Sequence, residues 1–171
     1  MPKTRVLLAF AVLLALGGCG SHAVSKKGHV PPWPAWTVPS FGVTLRHPKG
    51  WQPAAGYLER LQGKDGYVAL NALQGSGLTP QAAAKSQAQQ PLSAFGPNPV
   101  LKAMKVDGQP GYLIMPSQAR TGGQVNEAEA IVLYPKPETI SGVPYRYLVI
   151  TSTPKDILPI VRSLRFSARH G

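Results

Sequence analysis

Few residues of this 171-residue chain are of types that carry chemistry: one cysteine, four histidines and seven acids, against eighteen lysines and arginines. Cys19 is the only thiol, so the chain builds neither a disulfide framework nor a cysteine-rich zinc site. Glu127 and Glu129 are the one close pair of acids, and at i and i+2 in a strand they share a face. Such a pair suits a carboxylate dyad or a divalent-cation site. Its alternation with Ala128, Ala130 and Ile131 also suits the solvent face that begins a strand. His47 shares a strand face with Val43 and Leu45, as a general-base candidate or as a strand-end histidine packed on Trp51. Gly75-Ser76-Gly77 lacks the spacing that exposes a nucleophilic serine between strand and helix, and reads as a loop. The glycines at 108, 111, 122 and 123 have neither the spacing nor the following lysine of a phosphate-binding loop. His22 and His29 are too few to hold a metal. The sequence therefore assigns no catalytic residue, no metal and no cofactor.

Cys19 stands in a context of its own. Lys3 and Arg5 precede an unbroken apolar run over residues 6–16. Eleven residues at about 1.5 Å each fall short of a hydrocarbon core of roughly 30 Å, so the run fits an export signal rather than a membrane span. It ends in Leu16-Gly17-Gly18-Cys19, which resembles the lipobox of bacterial lipoproteins. The resemblance implies a signal peptide over residues 1–18, a diacylglyceryl group on Cys19, and a lipid-anchored protein on the extracytoplasmic face of the cell membrane. Two acyl chains suffice for stable anchoring.

Residues 19–40 show no apolar periodicity. Lys26 and Lys27 are followed by Pro31-Pro32-Trp33-Pro34-Ala35-Trp36 and Pro39, a composition that favours an extended polyproline II spacer. Two readings of Trp33 and Trp36 stand side by side: residence at the membrane interface, or packing on the first strand of the domain.

The elements that position the candidate groups lie in residues 41–171, where strand patterns dominate. Residues 41–46 alternate as a half-buried strand closed by Pro48-Lys49-Gly50. Strands are predicted over 57–61 and 67–73 around Gly63-Lys64-Asp65-Gly66, then over 101–106 and 111–117 around Asp107-Gly108-Gln109-Pro110, and over 128–134. The run 145–151 is apolar or aromatic on both faces, as a central strand would be. Thr79-Pro80 opens a helix that buries only alanines. Thr153-Pro154 repeats the signal before Ile157, Ile160, Val161 and Leu164, an amphipathic stripe that Pro159 is expected to bend or shorten. The prediction is an α+β domain, a largely antiparallel β-sheet flanked by a few helices.

The segment Phe41-Gly42-Val43-Thr44-Leu45-Arg46-His47-Pro48-Lys49-Gly50-Trp51 resembles the opening of PsbP-like domains, and Ser163-Leu164-Arg165-Phe166 resembles their close. The resemblance implies the Mog/PsbP-type fold over roughly residues 40–167, with Trp51 packed under the sheet. It implies no particular activity, because members of that fold differ in role.

The net charge of +11 loses Lys3 and Arg5 with the signal. Of the remaining excess, residues 19–65 and 130–171 each carry four charges and residues 66–129 one. Lys26, Lys27, Arg162, Arg165 and Arg169 are the candidate binding residues, at two ends of the chain that can converge in space. Export argues against nucleic acid as the partner of this basic surface and leaves anionic lipid, wall polymer or an acidic protein. The leading expectation is a non-catalytic, lipid-anchored accessory or binding module. The alternatives are a structural envelope protein holding anionic wall polymer or lipid headgroups through its basic ends, and a hydrolase assembled from His47, Glu127 and Glu129.

Overall fold

The computed structural model describes residues 31–90, 94–117 and 126–167. Seven strands form one antiparallel sheet: β3 (Gln52–Pro53), β4 (Arg60–Gly63), β5 (Gly66–Leu73), β6 (Val100–Val106), β7 (Gln109–Met115), β8 (Ala128–Ile140) and β9 (Val143–Ser152). Their spatial order is β3-β4-β5-β9-β8-β7-β6. Three short strands, β1 (Ala35–Val38), β2 (Val43–Arg46) and β10 (Arg165–Phe166), form a second antiparallel sheet in the order β1-β2-β10. The helices are α1 (Pro80–Ala88) and α2 (Ile157–Ser163). This is the α+β arrangement that the strand periodicity predicts.

The large sheet is the middle layer. One of its faces buries Val68, Leu70, Ala130, Val132, Leu148 and Ile150 against α2 and the small sheet. The other buries Ile114, Ile131, Tyr147 and Val149 under α1. β9 lies between β5 and β8, which explains why its residues are apolar on both faces. α1 meets the sheet through Ala83, Ala84 and Ala88, whose small side chains allow close approach. Its start follows from local chemistry: the Thr79 hydroxyl accepts from the Ala82 N–H at 3.2 Å, and Pro80 occupies the first helical position.

Several expectations are corrected. β4 begins at Arg60, not at 57, because the Tyr57 N–H turns back to the Ala54 carbonyl and leaves Tyr57 and Leu58 exposed. The β6–β7 turn is confined to Asp107 and Gly108, at φ 48° and 79°, so Gln109 and Pro110 belong to β7. β8 continues past Tyr134 to Ile140, its pairing with β9 interrupted between Leu133 and Glu138, where Pro135 and Pro137 sit. α2 begins at Ile157 rather than directly after Thr153, and Pro159 as its third residue lies in a first turn where an N–H has no intrahelical acceptor. β1 lies within the stretch read as spacer. It pairs with β2 from Ala35 opposite Arg46 to Val38 opposite Val43. Trp33 and Trp36 are half-buried against the core, as in the packed reading of the two tryptophans.

Candidate functional site

Two constellations bring together residues with chemical potential. The first lies on the α1 face of the large sheet. Register places Arg60 opposite Ala69, Ala69 opposite Thr151, and Thr151 opposite Glu129, so the four side chains form one row across β4, β5, β9 and β8. Glu129 is 8% exposed, and burial followed by the neighbouring Glu127 carboxylate pushes its pKa up to about 7. A hydrogen bond with Thr151 opposes that rise. The Tyr67 hydroxyl donates to Glu127 Oε1, and burial with this carboxylate holds the phenol well above its ordinary range. The Arg60 guanidinium carbon lies 4.0 Å from the centroid of the Tyr67 ring and 4.9 Å from that of Tyr57, a stacked cation. Arg60 Nε and Glu129 Oε1 are buried without hydrogen-bond partners.

The paired acids thus share a face, as their spacing predicts, but Glu129 is buried rather than solvent-facing. Chemically the cluster can hold a proton on one carboxyl beside a second carboxylate. His47 does not join it. It is buried on the face of β2 shared with Val43 and Leu45, with Nδ1 2.9 Å from the Pro48 carbonyl oxygen. The large sheet lies between His47 and Glu129, so the three residues of the hydrolase reading do not meet in one site. Among the described residues no group of three or more histidines, cysteines, aspartates or glutamates is placed to hold a metal ion. Arg60 and Tyr67 were not singled out in the sequence, because only strand register brings them beside Glu127 and Glu129.

The second constellation is a groove of about 280 Å³ between β6 and α2. Met104, Leu113 and Leu158 supply apolar lining, and Lys102 and Lys105 of β6 and Arg162 of α2 supply cations. Arg162 is exposed on the last turn of α2. Lys102 and Lys105 come from the stretch with the least charge excess, which the strand pairing carries to the C-terminal helix. Arg165 is engaged elsewhere: its Nη1 donates to the Leu164 carbonyl at 2.5 Å, and its Nε lies 3.8 Å from Asp107 Oδ1. Cys19, Lys26, Lys27 and Arg169 lie outside the described residues. Among those described, no helix is long and apolar enough to cross a membrane.

The first and last described segments approach each other at β2. The Arg46 N–H donates to the Ser163 hydroxyl at 2.8 Å, and Arg46 Nη1 donates to the Trp33 carbonyl at 2.5 Å. The entry of the N-terminal segment therefore adjoins the last turn of α2.

No protein-family model matches the chain, and no curated protein is significantly similar to it.

Proposed function

We propose that the protein is a lipid-anchored, non-catalytic accessory or binding module of PsbP-like fold on the outer side of the cell membrane. The carrying observation is Leu16-Gly17-Gly18-Cys19 at the end of an apolar run too short to span a bilayer. The PsbP-like part is supported by the antiparallel sheet and by Trp51, which is 8% exposed and lies against Gly63 of the β4–β5 hairpin. It is also supported by Leu164, buried at the end of α2 where Ser163-Leu164-Arg165-Phe166 leads into β10. The non-catalytic part is supported by the engagement of Glu127 with Tyr67 and by the separation of His47 from both glutamates.

The test is fractionation of cells expressing the native chain or Cys19→Ser. The native chain is expected in the membrane fraction and the variant in the soluble extracytoplasmic fraction. Identical partitioning of the two would overturn the anchor. A reproducible hydrolytic activity abolished by one substitution would overturn the non-catalytic reading.

A second reading, a structural envelope protein that holds anionic polymer through its basic ends, is favoured by one observation. Arg162 shares a groove with Lys102 and Lys105. Sedimentation with an insoluble wall-polymer preparation, reversed by salt, is its expected signature.

A further inference from the structure

We propose that the groove between β6 and α2 binds the headgroup of an anionic phospholipid in the bilayer that holds the chain. This deepens the lipid-anchor reading and rests on it.

Three cations line the groove, Lys102, Lys105 and Arg162, and none has a partner among the described residues. Their side chains are exposed. No acid is among the lining residues, so the charge of the groove is of one sign. Between the cations the surface is Met104, Leu113 and Leu158. A polymer of phosphates and sugars offers little apolar surface to such a floor, whereas the acyl methylenes beyond a phospholipid's glycerol esters gain by leaving water. A volume of about 280 Å³ lies just under the roughly 300–1,000 Å³ of small-ligand pockets, the scale of a headgroup rather than of a whole lipid.

Position supplies the remaining argument. Arg162 immediately precedes Ser163, whose hydroxyl receives the Arg46 N–H, and Arg46 in turn holds the Trp33 carbonyl. The groove thus lies beside the point where the N-terminal segment enters the domain. Eleven residues separate Cys19 from Pro31, and the twelve Cα steps between the two span at most about 40 Å when fully extended. The bilayer that takes the acyl chains of Cys19 is therefore within reach of the groove. Charges this close to an anionic surface are attracted to it.

The experiment uses the chain purified in a nonionic detergent and labelled at the methionine methyl groups. Met104 reports from the groove, and Met115 serves as a reference on β7. Titration with dihexanoyl phosphatidylglycerol is expected to shift the Met104 methyl signal saturably, while dihexanoyl phosphatidylcholine leaves it unmoved. Lys102→Gln with Arg162→Gln is expected to weaken the response at least about tenfold, and Lys155→Gln, a cation outside the groove, to leave it unchanged. No shift with the anionic lipid overturns the proposal, as does an equal shift with the zwitterionic one. An equal loss in Lys155→Gln also overturns it, since the attraction is then one of net charge alone. Stronger binding of polyglycerol phosphate than of the lipid overturns it in favour of the polymer reading. A saturable lipid response from a chain whose fractionation ignores Cys19 overturns the anchor and leaves the groove standing.

Discussion

The Ser163 hydroxyl accepts the main-chain N–H of Arg46 at 2.8 Å and donates to the Ile160 carbonyl at 2.5 Å. A side chain 8% exposed thus ties the end of α2 to the strand on which the N-terminal segment is paired. Ser163→Ala leaves the Arg46 N–H without its acceptor in a partly buried place. The expected loss is about 1–3 kcal/mol of unfolding free energy, read from urea denaturation. Ser163→Thr keeps the hydroxyl and is expected to recover part of the loss. An alanine variant as stable as the native chain would show that the bond contributes nothing.

Trp51 and Gly63 are a second pair whose fit is specific. A Cβ built on Gly63 lies in steric overlap with Trp51 Cδ1 and 2.6 Å from Nε1. Gly63→Ala must move an indole that is 8% exposed and belongs to the core. The expected cost is about 1–3 kcal/mol, with tryptophan emission shifted toward longer wavelength as the ring gains water. Unchanged emission and an unchanged urea midpoint would show that the hairpin accommodates the methyl group freely.

Asp107 does two things at once in the β6–β7 turn. Its φ is 48°, a region that aspartate and asparagine tolerate better than other non-glycine residues, and its Oδ2 accepts the Phe166 N–H at 2.9 Å. Asp107→Ala loses both and is expected to cost about 1–3 kcal/mol, with faster hydrogen exchange at the Phe166 amide. Asp107→Asn keeps an acceptor oxygen and the backbone tolerance, so less than half that cost is expected. Equal effects of the two substitutions would assign the cost to the lost charge beside Arg165 instead.

What was legible in the sequence is what local chemistry decides. Thr79 and Pro80 start a helix by satisfying or removing N–H groups within four residues. Lys64-Asp65 between Gly63 and Gly66 closes a hairpin without distant help. The motif ending in Cys19 is equally local, four adjacent residues that lie outside the described part of the chain. β8 extends beyond the predicted 128–134 because an interruption in the pairing accommodates Pro135 and Pro137 before β8 continues through Glu138. β1 was hidden because prolines flank it, and only its pairing with β2 makes it a strand. The row of Arg60, Thr151 and Glu129 depends on register across four strands, and the meeting of Lys102 with Arg162 on packing between β6 and α2. Neither juxtaposition is encoded within any window of neighbouring residues.

Register across those strands gives Glu129 a measurable consequence. Its native pKa is about 7, raised from 4.5 by burial and then by the Glu127 charge. Below about pH 4.5 the carboxyl is protonated in both folded and unfolded chains and carries no penalty. Between about 4.5 and 7 the unfolded chain releases the proton while the folded chain retains it. Stability therefore falls as pH rises through this window and levels off above it. At about 1.4 kcal/mol per pKa unit, the fall is on the order of 3 kcal/mol. Glu129→Gln removes the ionisation while keeping an oxygen for Thr151. It is expected to flatten this part of the profile and to exceed the native chain in stability at pH 8. Urea midpoints of both proteins at pH 5 and pH 8 make the comparison. If the glutamine variant falls by as much as the native chain between those values, the pH dependence belongs to another group.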